Sequence, residues 1–384
     1  MAQTFDIDDL VAATPSTRDR SVDLLRAVSI GVVILWHWVF SVTHVDGGGA
    51  VTMPYPIGDV RLMWLATWLL QIMPVFFFVG GFANLASIEA LERSGDTRWT
   101  TFAGRRLARL LRPIGAFLAV WVAIDVTGRL FVDGYTSVLE WGRVVFVPLW
   151  FIGMYAAVVL LAPLTVRLHR VGRETVLVAL GGAIVLADLG RFRFDVEQLG
   201  LLNAGLVWLF AHQLGYFWRD GTFTGWPRHR LWTMAGAGLT ALVVLTNLGV
   251  YPRSMVAVRG DAVSNMFPTT ACIAALALFQ AAVVMLVRPA AERWLAGRRV
   301  WKAVISVNAV AMTLFAWHMT ALVVVLGLAR VAGYEPPTEP TAAWWAQRPL
   351  WLVAPGLVLA LLVWLFARVE LGRRVTAGDG VVDS

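Results

Sequence analysis

The first apolar segment of the chain reads Ser21-Val-Asp-Leu-Leu-Arg-Ala-Val-Ser-Ile-Gly-Val-Val-Ile-Leu-Trp-His-Trp-Val-Phe-Ser41. It is long and apolar enough to cross a bilayer as one helix. Arg26 and His37 interrupt it, and because ionisable residues are costly inside a membrane, both are candidates for function. At about 100° per residue, eleven steps return a helix to within about 20° of its starting direction. Arg26 and His37 are therefore predicted to lie on one helix face, about 16 Å apart.

The composition of the whole chain predicts a membrane protein. Of its 384 residues, 58% are apolar and only 15% are charged, far from the averages of soluble proteins. Stretches near the twenty residues that a bilayer requires predict an all-α bundle of about ten transmembrane helices. Their predicted positions are 21–43, 60–88, 113–132, 144–165, 175–189, 200–218, 231–251, 266–288, 303–329 and 349–367.

The distribution of Lys and Arg predicts the orientation, because cytoplasmic loops accumulate these residues. With both termini inside, 22 of the 32 Lys and Arg residues fall in inner segments, nine fall in outer segments, and Arg26 lies within the first span. Both termini are therefore predicted to be cytoplasmic, in a multi-pass protein of the plasma membrane. The net charge of +7 then reflects insertion and lipid headgroups, so no nucleic-acid partner is expected.

The chain is predicted to form one membrane domain and no soluble domain. Residues 1–20 form a polar cytoplasmic segment rather than a cleaved signal peptide, because the apolar run that follows carries two charged residues and no small-residue cleavage site. Residues 21–370 form the transmembrane domain, and residues 371–384 form a cytoplasmic tail. The single cysteine, Cys272, excludes an intramolecular disulfide and a Cys-based metal cluster, and no metal is expected.

A second cationic group lies in the predicted inner loop before the third span. Its arginines are three and four residues apart, which predicts one cationic stripe on an amphipathic helix at the membrane surface. They are Arg105, Arg106, Arg109 and Arg112. One interpretation is ordinary headgroup binding. The other is capture of a phosphorylated ligand, because guanidinium groups bind phosphate oxygens bidentately.

Other polar or aromatic residues in the spans each allow two interpretations. Asp23 and Arg26, spaced i, i+3, form either an interfacial ion pair or a pair in which Asp23 positions Arg26. His37 is either a buried structural histidine or a catalytic group. His318, in the ninth span, either packs in the core or holds a substrate. Trp150 either lines an acyl site or anchors the chain at the membrane interface.

Five segments, in this order, resemble the acyltransferase-3 family of integral-membrane acyltransferases, and its actinobacterial members in particular. The first is Asp23-Leu-Leu-Arg26, followed by a ten-residue gap and His37. The other four are Met73-Pro-Val-Phe-Phe-Phe-Val-Gly-Gly-Phe82, Arg105-Arg-Leu-Ala-Arg-Leu-Leu-Arg-Pro113, Pro148-Leu-Trp-Phe-Ile-Gly-Met-Tyr155 and Leu314-Phe-Ala-Trp-His-Met319. The family often has serine where this chain has Gly80, which excludes a hydroxyl role at that position.

The resemblance implies transfer of an acyl group, commonly acetyl, from cytoplasmic acyl-CoA to a hydroxyl of a glycan, lipid or macrolide-like metabolite. Acyl-CoA is then a substrate and not a resident cofactor. Arg26 and the arginine stripe would bind the phosphate end, and Asp23 would belong to the acyl-CoA site by positioning Arg26. The pantetheine arm is about as long as the helix between Arg26 and His37, so the thioester would reach His37. Because histidine titrates near neutral pH, we expect His37 to be the general base of a direct transfer. An acyl-histidine intermediate is the alternative.

A proton-coupled transporter or exporter is the main alternative from another class. Ten spans with intramembrane Arg and His residues would also suit such a protein. Inverted repeats would place a second Arg-to-His pattern in the sixth span, but the residue eleven positions before His212 is Leu201. The sequence therefore favours acyl transfer, while its short outer loops leave the acceptor open.

Overall fold

The computed structural model describes residues 7–12, 14–15, 18–258 and 261–371. Almost all of the predicted tail, 371–384, and the first six residues of the predicted N-terminal segment lie outside the described residues. Where the structure describes the chain, strands are limited to a two-residue antiparallel pair, β1 (His44–Val45) and β2 (Val51–Thr52). The all-α class is confirmed.

Long helices build the bundle, and short helices connect them. The long helices are α2 (Arg20–Val39), α4 (Met73–Arg93), α5 (Trp99–Phe131), α7 (Leu149–Phe194), α8 (Gln198–Arg219), α10 (Arg228–Leu248), α11 (Ala271–Leu295), α13 (Ala311–Val331) and α15 (Arg348–Leu371). The short helices are α1 (Ile7–Ala12), α3 (Met63–Leu70), α6 (Val138–Trp141), α9 (Thr222–Gly225), α12 (Arg298–Ala309), α14 (Ala342–Ala346) and the 3₁₀ turn Arg143–Phe146.

Eight helical stretches in the described part of the chain are long and apolar enough to cross a membrane. The predicted fourth and fifth spans fall in one of them, Arg143–Phe194, whose backbone leaves helical geometry at Gly172. The predicted sixth span is α8, which is not among the eight. Because α8 packs between α4 and α7, it has little surface for lipid and carries buried polar residues such as His212 and Gln213. The chain is a multi-pass membrane protein.

The predicted second span is broken into α3 and α4 at Gln71. A broken helix inside a membrane is tolerated where neighbours satisfy the freed backbone carbonyls. Here the Gln280 side chain on α11 donates to the Gln71 carbonyl at 2.9 Å and contacts the Trp68 carbonyl at 3.4 Å. The break therefore turns the Gln71 side chain inward without leaving these carbonyls unpaired.

Two glycines let α4 and α8 cross in direct backbone contact. A Cβ built on Gly81 would lie 1.9 Å from the His212 carbonyl oxygen. One built on Gly215 would lie 2.0 Å from the Phe78 carbonyl oxygen. No side chain fits at either position, as is usual where small residues bring membrane helices together.

The arginine stripe does not form the predicted separate helix at the membrane surface. Residues 100–113 belong to α5, which continues through Pro113 to Phe131. With 33 residues, α5 is about 50 Å long at 1.5 Å per residue, and a bilayer core measures about 30 Å. The length of α5 therefore leaves room for the arginine-bearing turns outside the hydrocarbon core.

Candidate active site

Helix α2 carries Arg26 and His37 on one uninterrupted helix, as the sequence predicts. Its first turn is capped by the Asp19 carboxylate, which accepts a hydrogen bond from the Ser21 backbone N–H at 3.0 Å. Both side chains are half-buried, so each can be reached from a neighbouring space. Eleven residues of regular helix separate them by about 16 Å.

Asp23 is buried and contacts two arginines rather than one. Its two carboxylate oxygens accept hydrogen bonds from Arg18 at 2.7 and 2.8 Å, whereas the nearest Arg26 nitrogen is 3.8 Å away. The predicted pair with Arg26 is therefore the longer of the two contacts. Arg18 was missed because it precedes the helix, where helical spacing says nothing about position.

His37 and His318 lie side by side, although 281 residues separate them. His37 Nδ1 is 3.1 Å from His318 Nε2, and His318 Nδ1 is 2.7 Å from the Phe315 carbonyl oxygen. A carbonyl only accepts, so His318 Nδ1 carries its proton and the neutral His318 Nε2 is an acceptor. His37 Nδ1 therefore donates to His318. In neutral His37 the lone pair is then on Nε2, which is the form that a general base requires.

A cavity of about 820 Å³, counted with its solvent-open mouth, borders this pair. We call it the histidine cavity. Its wall includes His37 on α2, Phe315 on α13, and both Trp150 and Phe151 at the start of α7. His37 and Trp150, both singled out from the sequence, therefore border the same space. His318 is fully buried behind His37 and contacts it directly.

A second pocket, of about 300 Å³, lies between α4 and α5. We call it the basic pocket. Its wall consists of Ser87, Leu91, Phe102, Arg105, Arg106 and Arg109. Three of the four stripe arginines are thus brought together, while Arg112 is exposed and is not part of this wall. Arg106 also donates a hydrogen bond to the Ala83 carbonyl on α4.

Tyr155 packs against residues of both pockets, because it contacts Phe151 and the cluster that contains Leu91 and Phe102. Arg26 lies within electrostatic range of Asp23, which attracts it, and of Arg109, which repels it. The Tyr155 ring stacks on Phe151 of the histidine cavity, with ring centroids 5.6 Å apart. A Cβ on Gly80 would lie 2.8 Å from this ring, which explains why serine is not accommodated there. Tyr155 was missed as a site residue, although its i, i+4 spacing from Phe151 places both on one face.

The described residues contain no group of three or more His, Cys, Asp or Glu side chains placed to hold a metal ion. Cys272 is fully buried in α11.

The fold and the two pockets define an integral-membrane protein with an imidazole pair at an apolar cavity and a cationic pocket nearby. Comparison with protein families matches residues 19–369 to the acyltransferase-3 family, described as an acyltransferase domain. The chain belongs to this family, as its five sequence segments predict. Searches of curated proteins and of solved structures found no match.

Proposed function

We propose that the protein is a membrane O-acyltransferase that moves an acyl group, most simply acetyl, from cytoplasmic acyl-CoA to a hydroxyl. The hydrogen-bonded pair of His37 and His318 at the cavity wall carries this proposal. Its tautomers leave a basic nitrogen on His37 Nε2, and membership of an acyltransferase family supplies the class of reaction.

The proposed orientation places both termini in the cytoplasm and the protein in the plasma membrane. The chain would cross ten times if α8 and both parts of α7 each span the bilayer. The excess of Lys and Arg in the inner segments supports this arrangement. Residues 21–370 would form the transmembrane domain, between a cytoplasmic N-terminal segment, 1–20, and a cytoplasmic tail.

The basic pocket and Arg26 are the proposed site for the phosphates of acyl-CoA. Arg105, Arg106 and Arg109 supply guanidinium groups to one space, and the charge of Arg109 acts on Arg26. Charge-assisted hydrogen bonds from arginine to phosphate are among the strongest in proteins. Asp23 would position Arg26, and Arg112 would add only its long-range charge. From Arg26 the pantetheine arm would follow α2 to His37.

The proposed chemistry is a direct transfer. His37 Nε2 takes the proton from the acceptor hydroxyl while the hydroxyl oxygen attacks the thioester carbonyl carbon. The carbon–sulfur bond then breaks, the ester leaves, and the CoA thiolate receives the proton from His37. His318 keeps accepting the His37 Nδ1–H, which holds the ring in place while Nε2 is protonated. An acyl-histidine intermediate would use the same nitrogen as a nucleophile.

The test is turnover of radiolabelled acetyl-CoA by purified protein in liposomes, with release of CoA as the readout. We expect slow hydrolysis by the wild type, faster consumption with an accepted alcohol, and a loss of at least about 100-fold in His37→Ala, the usual scale for removing a general base. His44→Ala, at a histidine outside the cavity wall, should retain wild-type rates.

Two results would contradict the proposal. One is a correctly inserted His37→Ala protein that turns over acetyl-CoA at the wild-type rate. The other is a wild-type protein that neither binds nor consumes acetyl-CoA but carries a solute across the liposome membrane with protons, as the transporter alternative requires.

A further inference from the structure

The histidine cavity is walled almost entirely by apolar groups. Thirteen of its seventeen wall residues are aliphatic, aromatic or thioether side chains. The four polar wall residues are His37, Tyr55, Thr67 and Gln71. A ligand in this space must therefore match a surface that offers very few hydrogen bonds.

Most of the polar wall groups are already bonded to the protein. The Thr67 hydroxyl donates to the Trp64 carbonyl at 2.6 Å and accepts from the Met255 N–H at 2.8 Å. The Gln71 amide nitrogen contacts the Met255 carbonyl at 3.2 Å and the Met266 sulfur at 3.1 Å.

The Tyr55 side chain is hydrogen-bonded to Trp36. Because an indole N–H only donates, Tyr55 accepts this bond and its own O–H remains a donor. The His37 imidazole and the Tyr55 O–H are therefore the main polar groups that remain for an incoming molecule.

This wall excludes a molecule that carries a hydroxyl on each carbon. A buried hydroxyl without a partner lowers affinity by about tenfold, and a sugar ring would bring several. An alcohol with one hydroxyl and an otherwise apolar body would direct its hydroxyl to His37 and bury the remainder against the wall.

The rim of the cavity is apolar as well. Val147 and Trp150, at the start of α7, are 42% and 38% exposed, and Ala257 in the loop before α11 is also exposed. An entering molecule therefore passes apolar side chains before it meets His37. A molecule dissolved in the lipid would meet no polar barrier on this route.

The rim also distinguishes an acceptor from the tail of a long acyl group. Arg26 and the basic pocket lie at one end of α2, whereas the wall residues Tyr55 and Ala257 come from connecting segments at the other end. A donor tail would arrive from the Arg26 end and needs no opening at the far end. An acceptor must enter there, and its ester must leave.

We infer that the histidine cavity binds the hydrocarbon body of an apolar alcohol, which is the acceptor of the transferred acyl group. This inference rests on the proposed acyl transfer and adds the substrate class, a lipophilic alcohol rather than a polyhydroxylated sugar. The single acceptor hydroxyl is placed at His37, and the remainder of the molecule fills the space between α3, α7 and α13.

The experiment compares cyclohexanol with myo-inositol, which share a six-carbon ring but carry one and six hydroxyls, and adds 1-dodecanol as a membrane-dissolved alcohol. Wild-type protein in liposomes receives radiolabelled acetyl-CoA, and mass spectrometry measures the acetyl esters. We expect cyclohexanol and 1-dodecanol to be acetylated with a kcat/KM at least tenfold above that of myo-inositol.

A matched pair of variants in α3 tests the wall itself. Leu70 lies in the wall, whereas its neighbour Leu69 is outside it and 75% exposed. Leu70→Gln should lower the ratio of 1-dodecanol acetylation to acetyl-CoA hydrolysis at least fivefold, and Leu69→Gln should leave it unchanged. If the Leu70→Gln protein fails to fold, the comparison of the three alcohols with wild-type protein still tests the inference.

The possible results separate the two proposals. If myo-inositol is acetylated as fast as cyclohexanol or faster, the acceptor is not an apolar alcohol. The proposed acyl transfer would still stand. Faster hydrolysis of octanoyl-CoA than of acetyl-CoA, reversed by Leu70→Gln, would also overturn the acceptor class, because the cavity would then hold the acyl tail. No consumption of acetyl-CoA under any condition would overturn both proposals.

Discussion

The basic pocket and the histidine cavity contrast in charge and in size. Half of the six residues around the basic pocket are arginines, and the pocket measures about 300 Å³ with its solvent-open mouth. The histidine cavity measures about 820 Å³ with its solvent-open mouth and has a largely apolar wall without arginine. Helix α2 connects them, with Arg26 towards one and His37 at the other. In the proposed function these two regions have separate roles: the basic pocket binds the phosphates of acyl-CoA, and acyl transfer takes place at the apolar histidine cavity.

The physical reason for such a division is the different dependence of the two steps on water. Phosphate groups bind well to arginines at a wetted membrane surface, because both partners stay partly solvated. Proton transfer at an imidazole and attack on a thioester benefit from exclusion of water, which would otherwise compete as the acceptor. Placing both steps in one pocket would compromise one of them.

The largest expected effect is a loss of stability when the close contact between α4 and α8 is disrupted. Gly215→Ala places a Cβ about 2 Å from the Phe78 carbonyl oxygen, so the helices must separate. We expect a loss of several kcal/mol, on the order of 3–5, and little folded protein. Gly205→Ala in the same helix, where a Cβ meets no atom within 4 Å, is the control. Equal melting temperatures for the two variants would show that the crossing is not essential.

The next largest effect tests the basic pocket. Arg109→Ala should raise the KM for acetyl-CoA about 10- to 100-fold, because a hydrogen bond to a charged group contributes roughly 1.5–3 kcal/mol. The rate at saturation should change much less, since His37 is untouched. Arg112→Ala, on the same helix but outside the pocket wall, should give a clearly smaller rise. Equal rises in KM would mean that the whole stripe, and not the pocket, binds the phosphates.

A smaller effect is expected behind the histidine cavity. His318→Leu removes the acceptor for the His37 Nδ1–H. We expect kcat to fall about tenfold, because one hydrogen bond contributes about 1.4 kcal/mol. The KM for acetyl-CoA should stay within about twofold. His318→Gln offers a side-chain carbonyl to the same N–H and should restore most of the rate. A loss of equal size in both variants would indicate that His318 is needed only for packing.

The smallest effect concerns stability at Asp220, which follows α8 and belongs to neither pocket wall. Burial acts to raise the pKa of Asp220, but hydrogen bonds from His169, Thr222 and Arg173 outweigh it and hold the pKa at about 2. A carboxyl whose folded pKa lies below its unfolded value stabilises the protein above about pH 4, and loses that contribution as the pH falls towards 2.

Asp220→Asn removes this contribution and should lower the melting temperature at pH 7 by a few degrees. The effect is small because Asp220 is only partly buried, so solvent reduces a contribution of at most about 2 kcal/mol. The difference from wild type should shrink as the pH is lowered from 4 towards 2. Acetyl-CoA turnover at pH 7 should stay at the wild-type level, whereas a strong loss would place this end of α8 within the donor site.

Prediction from sequence was most reliable where one helix carries the information. The spacing of Arg26 and His37 predicts one face, and the structure has them on one uninterrupted helix. The spacing of the stripe arginines predicts that they cluster, and three of them share the basic pocket. Helical periodicity fixes both relations, because it depends only on residues within a few turns.

Prediction was least reliable where the packing of distant helices decides. By its length, α8 looks like an ordinary membrane span. Its buried polar residues are explained only by its position between α4 and α7. Arg18 is the closest partner of Asp23 although it precedes the helix. Neither relation has a local sequence pattern.

Apolar length and helical period are local properties of the chain. The helical class, the membrane setting, the family segments and the alignment of Arg26 with His37 therefore follow from the sequence alone. The packed helices were needed to show that His37 contacts His318, that Arg109 lies within electrostatic range of Arg26, and that Trp150 and Phe315 border one apolar cavity. Those relations join residues up to 281 positions apart. They depend on which helix faces pack together, and the sequence of any single helix leaves that choice open.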